Sequence, residues 1–215
     1  MFISDLPGIW HVWHVVTRLG EAQVVLPLFL LAAATRAQGP EGRSDALRWI
    51  ALLGIAVVLT AASKVAFIGW GIGSAALNFT GISGHTMFAA AVYPPLLSVI
   101  GSGTSPRAHR SAVAVGCVLA LIVGVSRFVL RAHSESEVLA GWLVGGLVSC
   151  AVLARGTPVP LQLRATMFVT GALWLTLTPA TVAAVETHSM VTRLALKLSG
   201  HERPYTRTDL LSNHK

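Results

Sequence analysis

Six long apolar stretches, covering roughly residues 21–35, 47–62, 86–100, 111–125, 138–153 and 165–185, are the feature that most constrains this chain. They are continuous rather than alternating, so they predict helices and not the strands of a barrel. Several are shorter than the ~20 residues a span usually needs, and their flanks must complete the crossing. Only 12% of the residues are charged, about half of what a soluble domain carries. A chain of this kind has lipid for much of its solvent, where only complete helices or closed barrels satisfy the backbone. The expected fold is an all-α, polytopic membrane bundle of about six transmembrane helices. Pro27, Pro94, Pro95 and Pro179 lie in or near these stretches, which membrane bundles tolerate.

Residues 1–18 hold Trp10 and Trp13 among His11, His14 and Asp5. They are too polar and too short to span and predict a helix lying in the interface. The organisation expected is therefore an interfacial N-terminal helix over 1–18, a transmembrane domain over 19–185 and a basic C-terminal tail over 186–215. No removable signal peptide is expected, because a basic start followed by a short apolar core and a cleavage site is missing.

The net charge of +7 could point to nucleic acid. The cations, however, sit in short clusters between apolar runs, the pattern of membrane flanks, and no basic domain exists to bind a polynucleotide. The connections RAQGPEGRSDALR, GSGTSPRAHR and RGTPVPLQLR carry Arg36, Arg43, Arg48, Arg107, Arg110, Arg155 and Arg164. These three belong to one face, expected to be cytoplasmic. The connections 63–85 and 126–137 then face the other side, the periplasm of a bacterial inner membrane. Cys117 and Cys150 lie within apolar runs and read as small hydrophobes, not as ligands or a disulfide.

Ionisable residues at the ends of membrane helices mark function by default, and these two connections concentrate them. Ser83-Gly84-His85 opens an apolar helix whose free N–H groups attract an anion. Arg127 closes the fourth span, and Lys64 ends the second on the same side. His133 and Glu137 are four apart at the start of the fifth, on one helical face. The carboxylate can accept Nδ1–H and leave Nε2 free. Two histidines, two cations and helix N–H groups suit phosphoryl transfer, which needs charge stabilisation and in-line partners. Asn78 and Phe79 precede the SGH segment at the mouth of the site.

The order Lys64, Ser83-Gly84-His85, then Ser126-Arg127 with five residues to His133 and three more to an acid resembles the type 2 phosphatidic acid phosphatase superfamily. That superfamily includes lipid phosphate phosphatases, undecaprenyl pyrophosphate phosphatases and vanadium haloperoxidases. The resemblance covers roughly residues 20–155. It implies hydrolysis of a lipid phosphate or pyrophosphate, such as undecaprenyl pyrophosphate or a phosphatidate-like lipid, without metal or other cofactor. His133 is implied as the nucleophile that forms a phosphohistidine, Glu137 as its orienting acid and His85 as proton donor to the leaving oxygen. Lys64, Ser83, Gly84 and Arg127 are implied as the phosphate cradle. The partners expected are the lipid substrate and membrane lipids.

Three positions depart from the family pattern. Gly71-Ile72 stands where an Arg-Pro pair is expected seven residues after Lys64; Ile82 stands for proline; Glu137 stands for aspartate. The absent arginine directs attention to Arg131, read chiefly as an interfacial anchor, and to the tail. There Arg203 or Arg207 would supply the lost cation if the tail folds over the site; a basic tail bound to anionic headgroups is the alternative. A phosphotransferase using the same histidine, or a non-catalytic membrane scaffold, are the rival functions.

Overall fold

The computed structural model describes residues 7–38, 40–155, 159–177 and 187–212. Residues 178–185 of the sixth apolar stretch, Pro179 among them, lie outside these. Among the described residues the chain is helical, with no strand beyond one isolated bridge between Ser74 and Phe79. The helices are α1 (Pro7–Arg18), α2 (Ala22–Arg36), α3 (Pro40–Trp70), α4 (Gly84–Gly101), α5 (Pro106–Val129), α6 (Glu135–Leu153), α7 (Leu161–Leu177), α8 (Thr187–Ser199) and α9 (Arg207–Ser212). The all-α bundle expected from the apolar runs is the observed fold.

Four stretches, Trp10–Arg36, Glu41–Trp70, Pro106–Val129 and Glu135–Leu153, are long and apolar enough to cross a membrane by length and composition. The first joins α1 to α2 across the turn at residues 19–21. α4 falls outside this set for a physical reason. It packs against α2, α3, α5, α6 and α7, so its surroundings are protein, and it can carry polar and proline residues that a lipid-facing helix would avoid. Arg164 of α7 donates to the Ile100 carbonyl, at the far end of α4 from the Ser83–His85 segment. Ala195 of α8 packs with Phe67 and Ile68 of α3, at the near end.

Two helices are longer than their apolar cores. α3 starts at Pro40, which suits a first helical turn where the missing N–H has no partner to lose, and runs 31 residues to Trp70. Lys64 thus lies almost two turns inside α3 instead of ending it. α5 starts at Pro106 behind a Ser105 cap whose hydroxyl accepts the Ala108 N–H. Part of each arginine-rich connection is consequently helix.

Pro94 and Pro95 sit in mid-α4, and each removes the N–H that would bond the carbonyl four residues earlier. Those carbonyls belong to Ala90 and Ala91. Neither is left bare: the Ser149 hydroxyl of α6 donates to Ala90, and the Trp49 indole N–H of α3 donates to Ala91. A buried unpaired carbonyl costs about 1–3 kcal/mol, so the prolines tie α4 to both neighbours. α6 comes close through Gly141 and Gly145, one turn apart. A Cβ on Gly141 would stand 2.8 Å from the Ser83 carbonyl oxygen, and one on Gly145 would strike the Met87 carbonyl. Such small-xxx-small faces let helix backbones touch.

Gly145→Leu should therefore lower stability by ~1–3 kcal/mol, the usual cost of overpacking. Trp49→Phe should cost a similar ~1–3 kcal/mol through the orphaned Ala91 carbonyl. Thermal unfolding in detergent measures both, and midpoints equal to that of the parent protein would contradict this packing.

Candidate active site

The four motif segments meet at one end of the bundle because hydrogen bonds, most of them from the backbone, tie them to one another. α5 ends at Val129 with Leu130 as its C-cap, and Arg131 adopts a left-handed φ of 53°, an uncommon conformation for a non-glycine residue. The turn folds the chain back so that the Arg127 carbonyl accepts the N–H of both Ala132 (3.0 Å) and His133 (3.3 Å). This bond explains the five-residue spacing: it fixes His133 relative to Arg127. Arg131 itself is exposed and serves as the turn residue.

Ser134 then caps α6. Its hydroxyl accepts the Glu137 N–H, while Glu137 Oε2 accepts the Ser134 N–H at 3.1 Å, a complete capping box. The same Oε2 accepts a bond from His133 Nδ1 at 2.7 Å. Glu137 is fully buried, whereas His133 keeps 15% of its side chain exposed. With Nδ1–H donated to the carboxylate, the ring turns a basic Nε2 outward.

The first turn of α4 is attached to the same acid. The Ser83 N–H donates to the Glu137 carbonyl (3.1 Å). Thr80 donates to Oε1 twice, from its N–H (2.8 Å) and its hydroxyl (2.5 Å). From α3, the Ser63 hydroxyl accepts the Ile82 N–H at 3.0 Å. Ser83 caps α4 without bonding its first N–H groups, so these are left for an anion. The Ser83 hydroxyl accepts from Thr86 at 2.9 Å and is completely buried.

The cations converge here. Lys64 Nζ stands 3.8 Å from where a Cβ on Gly84 would lie. Arg127 donates from Nη1 to the Thr17 hydroxyl at 2.8 Å, which ties it to α1, and its Nε is buried with no partner among the described residues. His133 feels the charges of Lys64, Arg127 and Glu137, and His85 those of Lys64, Arg127 and His133. Burial is the largest influence on His133 and outweighs the raising effect of its Glu137 bond. The imidazole is held below its ordinary value, so the neutral form prevails at neutral pH.

The tail also reaches this end. Arg207 Nη2 stands between both oxygens of Glu137, at 2.8 and 2.9 Å, and 3.2 Å from the Thr80 hydroxyl. Its Nη1 donates to the Asn78 side chain (3.0 Å) and carbonyl (3.3 Å). Arg203 is exposed, on the outside of the tail near Asp209. Phe79 is spent on the turn, bonded through its backbone to Ser74. Sequence reasoning did not single out Thr80, Ser63 or Thr17. Each is a hydroxyl residue whose partner is remote in sequence, and no local pattern marks such residues.

The chain belongs to the PAP2 superfamily. That family's model matches residues 67–157. Over 208 residues the chain is 35% identical to a Klebsiella pneumoniae protein described as "Uncharacterized 22.5 kDa protein in cps region"; the match covers 92% of this chain and 97% of the relative. It is also 37% identical over 71 residues to Glucose-6-phosphatase 3 of Bos taurus, covering 31% of this chain and 20% of the relative. No solved structure matches. Fold and family together define a helical membrane protein of a phosphatase superfamily.

Proposed function

We propose that this protein is a metal-independent membrane phosphatase that hydrolyses a lipid phosphate or pyrophosphate through a phosphohistidine. The observation that carries the reading is the 2.7 Å bond between His133 Nδ1 and the buried Glu137, which leaves Nε2 free beside the Lys64–Arg127 cations. In the first step Nε2 attacks phosphorus while the bond to the leaving oxygen breaks, and His85 gives that oxygen its proton. In the second, water attacks phosphorus, His85 takes a proton from it, and the P–N bond breaks to release phosphate. Lys64, the buried Arg127 Nε and the N–H groups from Gly84 onward hold the equatorial oxygens, where preorganised donors are worth most. The Ser83 hydroxyl lies behind them as a further donor.

A lipid substrate suits the location. The site lies at the end of a bundle of apolar helices, where a headgroup phosphate would reach it while acyl or prenyl chains run along the helices. Undecaprenyl pyrophosphate and phosphatidate are the leading substrates. The similarity to a protein named for glucose 6-phosphate makes that soluble ester the comparison to run beside them.

His133→Ala and His85→Ala should each lower phosphate release by at least 10³-fold while the protein remains folded, a loss on the scale of removing a catalytic triad member. Wild-type turnover should survive EDTA and be inhibited by vanadate. Loss of activity with chelator, restored by a divalent ion, would sink the metal-free reaction. Preference for glucose 6-phosphate over every lipid tested would overturn the substrate class.

The catalytic end is proposed to face the periplasm of a bacterial inner membrane, supported by the arginines gathered at the other end. In a cysteine-free background, Ala76→Cys should react with an impermeant maleimide in intact cells and Thr104→Cys should not. The reverse pattern would put the site in the cytoplasm.

A further inference from the structure

The tail is bound to the catalytic end by contacts of its own. Gly200, at φ 73°, reverses the chain after α8. His201 Nδ1 then donates to the Gly69 carbonyl (2.7 Å), and the Tyr205 N–H donates to that of Ile68 (2.9 Å). Leu210 is buried with Phe67, Ile68 and Ala195. The Tyr205 ring covers Gly71, where an added Cβ would stand 3.0 Å from Cδ1 on a backbone of φ 70°. Position 71 is thus closed to a side chain while the tail is docked, and the same tail carries Arg207 to Glu137.

We propose that Arg207 is a positioning residue of the catalytic pair, holding Glu137 so that the carboxylate anchors His133 without keeping its ring protonated. Five charged or titratable groups face His133: Lys64 from α3, His85 from α4, Arg127 from α5, Glu137 from α6 and, through Glu137, Arg207 from the tail. Glu137 alone among them favours the imidazolium, which has no lone pair on Nε2 with which to attack. A buried carboxylate bonded only to imidazole and neutral donors stabilises that charged form. Arg207 occupies both carboxylate oxygens and shares their charge. Both of its terminal nitrogens are engaged by Glu137, Thr80 and Asn78, so its action passes through Glu137. The catalytic consequence rests on the phosphatase reading, whereas the effect on the His133 proton does not.

The test uses the full-length protein in detergent with ¹³C-labelled histidine, the His133 signal being assigned by its loss in His133→Gln. In Arg207→Ala the His133 titration midpoint should rise by about one unit, the low end of the shifts that a nearby charge produces. Arg207→Lys should return part of that shift. In parallel, the acid limb of kcat/KM should move to higher pH, giving about a tenfold loss at pH 6 that shrinks by pH 8; guanidinium ion should rescue part of it. A His133 midpoint unmoved in both variants would overturn the proposal, whatever happens to the rate. So would an activity loss equal at all pH values and insensitive to guanidinium. If the wild type releases phosphate from no substrate, the phosphatase reading fails, and the titration still decides the role of Arg207.

Discussion

Glu137 accepts hydrogen bonds from three parts of the chain: the Thr80–Ser83 segment, the turn just before α6 and the C-terminal tail. Its side chain takes bonds from Thr80, His133, Ser134 and Arg207, and its backbone carbonyl takes the Ser83 N–H. A carboxylate with no solvent contact is costly to bury unless its lone pairs are filled, and here they are filled by the elements that make the site. The energy that keeps Glu137 charged is therefore the same energy that holds the Thr80–Ser83 segment, the His133 turn and the tail in register. An amide at 137 would lose the ion pair and half of the acceptor capacity together.

The scaffold beneath this hub obeys the same rule of satisfied polar groups in an apolar setting. Two prolines free two carbonyls of α4, and Ser149 and Trp49 take them. Gly141 and Gly145 let α6 approach until Ser83 and Glu137 can bond through their backbones. Scaffold and site are thus coupled: the close α4–α6 contact brings the first turns of both helices, with His85 and Glu137, to one place.

Much of this was legible in the sequence. Apolar run length announced an all-helical membrane bundle, and the spacing from Arg127 to His133 and Glu137 announced a paired histidine and acid. Helix ends were less legible. α3 continues past its apolar core through Lys64 to Trp70, because a helix stops where capping permits and not where hydropathy falls. The backbone of Arg131 was hidden too, since a left-handed conformation at an arginine has no compositional mark. Thr80 and Arg207 reach Glu137 across 57 and 70 residues, and pairing at such separations cannot be read from local spacing. The basic character of the tail was legible; its partner, an acid, emerged only with the fold.

If His133 attacks phosphorus, it must carry the phosphoryl group during turnover. The most direct measurement is to mix purified protein with a phosphorus-labelled lipid phosphate, quench during turnover and locate the label by peptide mass spectrometry. The expected result is an acid-labile, base-stable phosphoramidate on His133 that is missing from the His133→Ala protein. Sustained phosphate release with no label on His133 at any quench time, or with the label on another residue, would contradict it.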